Sequence, residues 1–310
     1  MEANTGHRPL LALLIRLGAI AALSTMSALI KLASARGIQL PEIIFWRQFV
    51  TIPILLIWVL ATSGLATLST RRPGTHAARA LYGLVGMILN FGAVILLPLA
   101  EATTINFSVP IFAVILSTLL LKEQVGIWRW SAVACGFAGI LLITQPGSGH
   151  IPILGAMVAL GGAFMIALIS IQIADLNRTE KPITIVFWFA AISTPVAAIA
   201  LPFTYTPHSG FEWLLLLAIG VFGSIGQLLL TAALRFGAVA SVIVMDYSAL
   251  FWATLYGWML FDMLPPASTW IGAPLIVAAG IVIAWREHLL ARRGKRAKIA
   301  QQGTQTVHDS

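Results

Sequence analysis

Charged side chains are scarce in this chain of 310 residues, where Asp, Glu, Lys and Arg together make up only 10% of the positions. Soluble domains carry roughly 25%. Hydrophobic residues account for 59% of the chain, and the mean hydropathy is +0.92. A water-soluble enzyme or binding domain is therefore excluded, and the composition predicts a polytopic protein that lies in a lipid bilayer.

Reactive and ligand-forming groups are also few. The one cysteine, Cys135, excludes an intrachain disulfide. All six histidines fall in predicted loops or tails, without the spacing to a second His or Cys that a metal site requires. The sequence contains no Gly-x-x-x-x-Gly-Lys-Ser/Thr loop for ATP, and no nucleophile with a base at predicted bilayer depth. The sequence thus predicts no cofactor, no metal and no enzyme activity.

Ten apolar segments are long enough to cross a bilayer, which takes about 20 residues each. They run over about 10–33, 40–62, 78–98, 102–121, 127–145, 151–173, 183–203, 211–234, 239–261 and 268–286. The first segment has no small-residue cleavage site after it, so we interpret it as a retained helix. Residues 1–9 form a short N-terminus, and residues 287–310 form a basic polar tail.

Basic residues are distributed unevenly between the two predicted sides. If the N-terminus is cytoplasmic, fifteen Lys and Arg residues lie on that side, whereas Lys31 and Arg36 lie on the other. Cytoplasmic loops are enriched in basic residues, so both termini are predicted to be cytoplasmic. Juxtamembrane loops and the tail explain the net charge of +8 without a nucleic-acid partner. No feature indicates an oligomeric state.

The second half of the chain repeats the first. Residues 17–23 return 137 positions later as residues 154–160, and Phe45-Trp46 returns as Phe187-Trp188. Five spans per copy leave the copies in opposite orientations, an arrangement of secondary transporters that bind substrate between the halves. The predicted fold is an all-α integral membrane protein with ten transmembrane helices, formed by inverted five-helix repeats at 10–145 and 151–286 around a central cavity.

Three charges lie well inside predicted spans rather than near their ends, and each costs at least ~2.5 to 3.5 kcal/mol there unless it faces the interior and has a partner. Arg47 lies seven residues into the second span, about 10 Å deep. It is a candidate for substrate binding or for a structural clamp on backbone carbonyls. Arg16 and Asp246 enter from the predicted cytoplasmic side and could form an intramembrane pair. We favour that interpretation over a proton-coupling role for Asp246.

Polar residues on several spans are candidates for a cavity lining, with interhelical hydrogen bonding as the alternative. They are Ser24, Ser27, Tyr82, Asn90, Asn106, Gln227 and Tyr247. Asn90 and Gln227 are equivalent at the repeat offset of 137, so their amides could face each other. Pro110 lacks a backbone donor and predicts a kink near Asn106.

The first half also carries a series of motifs typical of one transporter family. They are Pro98-Leu99-Ala100-Glu101-Ala102, Pro110, Leu121-Lys122-Glu123, Arg129-Trp130, Gly136-Phe137 and Gln145-Pro146-Gly147. Over about residues 10–287 the chain resembles the EamA-type drug/metabolite transporters, although Ala249 and Asp262 replace the usual proline and glutamate. The resemblance implies a bacterial inner-membrane protein whose Arg47, Asn90 and Asn106 line or brace a central cavity. Members with similar first halves carry riboflavin or S-adenosylmethionine, and others export amino acids.

These observations predict a secondary transporter that works by alternating access. Its substrate is expected to be a small amphipathic metabolite such as an amino acid, a vitamin or a nucleoside-type compound. A lipid-linked flippase of the same superfamily is the alternative, followed by a helical membrane enzyme or a membrane subunit that does not transport. A flippase should show a lateral opening between helices, and an enzyme should show a competent catalytic cluster.

Overall fold

The computed structural model describes residues 9–120, 127–145, 151–236, 244–282 and 285. Every regular element in these ranges is helical. Six helices are long and apolar enough to cross a bilayer, and four shorter apolar helices accompany them. The chain is therefore an all-helical protein of the membrane type. Most of the predicted N-terminus and the whole of the predicted tail lie outside the described residues.

The helices follow the predicted spans closely. In the first half they are α1 (Pro9–Ala35), α2 (Leu40–Thr62), α3 (Pro73–Leu96), α4 (Leu99–Asn106), α5 (Val109–Leu120) and α6 (Ile127–Thr144). In the second half they are α7 (Ile153–Leu176), α8 (Pro182–Ala198), α9 (Leu201–Thr204), α10 (Gly210–Phe236), α11 (Ser248–Phe261) and α12 (Ala267–Val282).

Two spans are interrupted at matching places in the repeat. The fourth span breaks at Phe107 and Ser108, between α4 and α5, because Pro110 cannot donate a backbone hydrogen bond to continue the ladder. In the second half a 3-10 turn, Val244–Tyr247, precedes α11. Irregular backbone at membrane depth is tolerated only where protein covers it or a cavity adjoins it.

The two halves pack against each other over a large area. α1 lies along α10, α2 lies against α8 and α10, and α3 lies along α7. Small residues allow the close approach: a Cβ on Gly220 of α10 would overlap Val50, and one on Gly226 would lie 2.6 Å from Leu23 Cγ. A shared apolar cluster that includes Met26, Phe91 and Ile219 fills the space between these helices.

Helix α3 begins five residues earlier than the predicted third span, and this corrects the placement of two residues. Pro73 supplies the preorganised first turn. His76, which the sequence placed in a loop, and Arg79, which it counted among the basic residues of the cytoplasmic side, are consequently helical and buried. His208 also departs from expectation, because its side chain is buried although it lies in a loop.

Polar contacts join the connecting segments at each end of the bundle. At one end Thr70 donates to Glu180 Oε1 at 2.7 Å, and Arg72 pairs with Asp175. At the other end His208 Nε2 lies 2.6 Å from Glu42 Oε1. Each set links loops that alternating helices would bring to the same side of a bilayer.

Candidate functional site

Arg47 of α2 is buried in the bundle, with 6% of its surface exposed. Its Nη1 donates to Gln48 Oε1 at 2.5 Å and to Met87 Sδ at 3.2 Å. The guanidinium lies 6.0 Å from the centroid of the Phe91 ring, and Nε has no partner. Within the described residues Arg47 contacts neither a carboxylate nor a backbone carbonyl through this group. Among the described residues Arg47 is thus seen without a backbone carbonyl partner, and its role in substrate binding stays a prediction.

Neighbours of Arg47 connect the two halves of the chain. Gln48 Nε2 donates to Ser193 Oγ on α8, and Thr51 Oγ1 lies 2.8 Å from Ser224 Oγ on α10. All four of these side chains are buried. Since both acceptor and donor groups of Gln48 are engaged, its amide fixes the orientation of Arg47 while tying α2 to α8.

Arg79 of α3 is a second buried arginine, also 6% exposed, that sequence reasoning missed. Its guanidinium carbon lies 4.3 Å from the centroid of the Phe189 ring, and Nε and Nη1 have no hydrogen-bond partner. In the described part of the chain no carboxylate lies within ion-pair distance of it. A helix start at Pro73 was the signal for its burial, because it places Arg79 one turn before Gly83 on the same face.

A small cavity adjoins Arg79. Asn177, Phe189 and Gln227 also line it, and the centre of a water molecule can move within about 20 Å³. A single water needs roughly 10–15 Å³ by the same measure, so this space holds about one water. The helices must move apart before an organic metabolite can reach Arg79 here.

Arg16 and Asp246 are in contact, as predicted for a structural pair. Nε of Arg16 donates to one carboxylate oxygen and Nη2 to the other, each at 2.6 Å. This two-point geometry is the strong form of an arginine and carboxylate contact. Because α1 belongs to the first half and Asp246 precedes α11 in the second, the pair ties the halves together.

The remaining candidates separate into different surroundings. Asn106 Nδ2 donates to Asn90 Oδ1 at 3.0 Å, which joins α4 to α3. Gln227 lies instead in the cavity beside Arg79, and Asn90 is eleven residues from Arg79, about 16 Å along α3. Asn90 thus has Asn106 as its partner, and the facing of the Asn90 and Gln227 amides stays a prediction.

The serine and tyrosine candidates also differ in environment. Ser27 donates to the carbonyl oxygen of Leu23 one turn earlier, and Ser24 is half-buried on the same helix. Tyr82 is exposed on the outer surface of the structure. The Tyr247 ring packs edge-on against Phe107 with centroids 5.1 Å apart, and its buried hydroxyl has no hydrogen-bond partner.

Comparison with known proteins decides the family. The profile of the EamA-like transporter family matches residues 10–145 and 153–285. The chain belongs to the EamA-like transporter family. Similar proteins include a riboflavin transporter of Vibrio cholerae, 28% identical, with 93% of this chain and 97% of the relative covered. A pseudopaline exporter of Pseudomonas aeruginosa is 32% identical over 84% of this chain and 91% of its own.

Two further similarities extend this picture. An S-adenosylmethionine uptake transporter of Rickettsia felis is 30% identical, over 79% of this chain and 83% of its own. A crystal structure at 21% identity covers 92% of this chain and 99% of its own with a TM-score of 0.62, which shows a shared fold. This EamA protein is thus a multi-pass bacterial membrane transporter of small metabolites, and its named relatives point away from an enzyme.

The EamA transporter also buries an acid that sequence reasoning passed over. Glu101, in the first turn of α4, is 2% exposed, and its Oε2 has no hydrogen-bond partner. Lys31 lies nearby and donates to the carbonyl oxygens of Val94 and Leu97 at 3.0 and 2.6 Å. Glu101 stood inside the quoted family motif, but its position at the edge of a span concealed its burial. Among the described residues no group of three His, Cys, Asp or Glu side chains could hold a metal ion.

Proposed function

We propose that this chain is a secondary transporter in which two inverted five-helix halves, residues 10–145 and 151–286, alternate around a polar centre. Arg47, Gln48 and Thr51 from the first half form this centre with Ser193 and Ser224 from the second. Its substrate is a small amphipathic metabolite, such as an amino acid, a vitamin or a nucleoside-type compound. The membrane is the bacterial inner membrane, and both termini are cytoplasmic.

The observation that carries the proposal is the pair of buried hydrogen bonds between the halves. Gln48 bonds to Ser193 and Thr51 bonds to Ser224, next to the Arg47 guanidinium, which has no ion-pair partner among the described residues. Buried polar groups are costly unless they are paired or serve a function. A polar junction between repeats near mid-membrane is where transporters of this architecture bind their cargo.

The interrupted helices support the same function. The break between α4 and α5 and the turn before α11 fall in matching stretches of the repeat. Broken helices of this kind allow parts of a bundle to move separately and expose backbone groups to a substrate pathway. Both breaks are covered by protein, because Phe107 and Tyr247 pack against each other across them.

The end contacts fit a transporter that opens one side at a time. Arg72 with Asp175 and Thr70 with Glu180 join the loops at one end, whereas Glu42 with His208 joins them at the other. Opening either end breaks one set while the other set persists. The cavity beside Arg79 has room for about one water, so an organic substrate enters only when the helices separate at one end.

The named relatives support the substrate class. They are named as transporters of riboflavin and S-adenosylmethionine and as an exporter of pseudopaline, which are small metabolites. A centre that combines Arg47 with the Phe91 ring and serine and threonine hydroxyls suits such molecules better than an inorganic cation, whose site requires converging oxygens.

Transport by the purified protein in proteoliposomes tests the proposal. Uptake of radiolabelled riboflavin, S-adenosylmethionine and the amino acids is measured for the wild type, Arg47→Ala and Arg71→Ala. Arg71 is an exposed loop arginine and serves as the matched control. We expect at least one compound to accumulate, with loss of uptake in Arg47→Ala only. Normal uptake by a well-expressed Arg47→Ala protein would contradict the role of this centre.

Topology is tested separately with reporter fusions. Fusions at residues 75 and 180 should report the cytoplasm, and a fusion at residue 150 should report the opposite side. A cytoplasmic signal at residue 150 would exclude the inverted arrangement.

A further inference from the structure

We propose that Arg47 and Arg79 together bind an anionic group of the transported metabolite, a carboxylate or a phosphate. The inference rests on the proposed function and adds to it the charge of the substrate. Arg79 is a residue that neither the sequence nor the family resemblance indicated.

Among the described residues, no acid forms an ion pair with either arginine. Both guanidinium groups are more than nine-tenths buried, and both retain buried N–H groups with no acceptor: Nε of Arg47, and Nε and Nη1 of Arg79. Arg16, by contrast, is paired with Asp246. Buried cations of this kind mark binding sites for anions, and a guanidinium matches carboxylate and phosphate geometry.

The second step is that the two arginines belong to one site. A series of contacts connects their side chains. Gln48 bonds to Arg47 and to Ser193, and Ser193 donates to the carbonyl oxygen of Phe189, whose ring lies under Arg79. Two like charges without an anion disfavour each other, and an anion between them removes this repulsion.

The third step is that glycines make space for both side chains. A Cβ at Gly83 would overlap Arg79 Nη1 and the Phe189 ring. A Cβ at Gly223 would lie 3.2 Å from Arg47 Nε. The bundle therefore accommodates the guanidinium groups by omitting neighbouring side chains, which is expected of a formed site and not of two side chains buried by chance.

Two aromatic rings determine which edges of the arginine pair a substrate can contact. Phe189 covers one face of the Arg79 guanidinium and Phe91 lies beside Arg47. These rings hold the cations by cation–π contact and leave the N–H edges to an anion. A metabolite with an anionic group and an apolar or planar body fits this site, because the anion can bind the guanidinium N–H edges while the body packs against the rings.

Anion binding by the purified full-length protein in detergent tests the inference. Thermal stability is measured with sodium formate and with inorganic phosphate at constant ionic strength. We expect saturable stabilisation by at least one of them, and the responding anion distinguishes a carboxylate site from a phosphate site. Arg79→Gln should raise the apparent Kd at least tenfold, and Arg71→Ala should leave it unchanged. No saturable effect in the wild type, or an unchanged Kd in Arg79→Gln, overturns the proposal.

A second variant guards against loss of folding in the arginine mutants. Gln48→Glu conserves the shape of the side chain and places a carboxylate at the atom that accepts from Arg47 Nη1. We expect it to raise the melting temperature in the absence of added anion and to abolish the response to formate and phosphate. A Gln48→Glu protein that responds to these anions as the wild type does would also overturn the proposal.

Failure of this inference is distinguishable from failure of the proposed function. A protein that transports a metabolite with the same KM in the wild type and Arg79→Gln is a transporter without the anion site. A protein that binds formate or phosphate through Arg79 but accumulates no metabolite in proteoliposomes has the anion site without the transport function.

Discussion

The pair of Arg16 and Asp246 offers a direct test of whether a buried charge contact holds the halves together or carries a coupling proton. Both carboxylate oxygens are bound by one guanidinium at 2.6 Å. The side chains differ in accessibility, with 9% of Arg16 and 35% of Asp246 exposed. Asp246→Asn removes the negative charge, keeps the shape and leaves Arg16 buried.

The loss of stability expected in Asp246→Asn lies between two limits. Removing one partner of a fully buried pair costs about 3–5 kcal/mol, whereas an exposed pair is worth about 0–1 kcal/mol. Because solvent reaches a third of Asp246, we expect about 2 kcal/mol of lost stability in Asp246→Asn. Reversing the pair, with Arg16→Asp and Asp246→Arg together, should recover part of the loss because an opposite charge again faces each group.

Thermal unfolding of the purified variants measures this effect. The matched control is the exposed pair of Arg72 with Asp175, whose side chains are 31% and 51% exposed, so Asp175→Asn should cost under about 1 kcal/mol. Transport at several pH values is measured in parallel. A stable Asp246→Asn protein that has lost concentrative uptake but retains exchange would refute the structural role and assign the coupling proton to Asp246.

The remaining predictions concern helix contact and the contacts at the ends. Gly220→Ala should lower the melting temperature and reduce transport, because the added methyl would overlap Val50 where α10 crosses α2. Gly210→Ala is the control and should change neither, since open space surrounds that position. A Gly220→Ala protein as stable as the wild type would contradict this packing. Glu42→Gln and His208→Asn should each destabilise the protein. A double-mutant cycle should give an interaction free energy of at least about 1 kcal/mol between the two side chains. Additive effects of the two substitutions would show that Glu42 and His208 do not interact.

Helix positions were largely predictable because the apolar runs and their repeat carry a strong signal. α2 has the predicted bounds, and most other helices differ by a few residues. The start of α3 was missed because Thr75, His76 and Arg79 lower the local hydropathy, although Pro73 marks a helix start. Polar composition near a span end does not show whether those residues face water or a neighbouring helix.

The partners of individual side chains were less predictable than the helix positions. The depth of a residue in the membrane explains which partners could be predicted. Arg16 and Asp246 were correctly paired because both their depth and their side of the membrane could be estimated. Asn90 and Gln227 are equivalent in the repeat, but equivalence gives each residue the same environment in its own half and does not by itself bring the two together. Contacts such as Gln48 with Ser193 depend on the rotation of α2 against α8, which a single sequence does not specify.

The repeat reproduces helices but not charges, and this asymmetry bears on transport. Arg47 corresponds to Phe189 in the second half, and Arg79 corresponds at the offset of 137 to the buried Leu216. The first half therefore supplies both cations, while the second supplies the Phe189 ring beside Arg79 and the Ser193 and Ser224 hydroxyls that bond to Gln48 and Thr51. If the first half holds the anion, movement of the second half changes which side of the site is covered. Because both cations belong to the first half, an anionic substrate can stay bound to them while the open side of the protein changes.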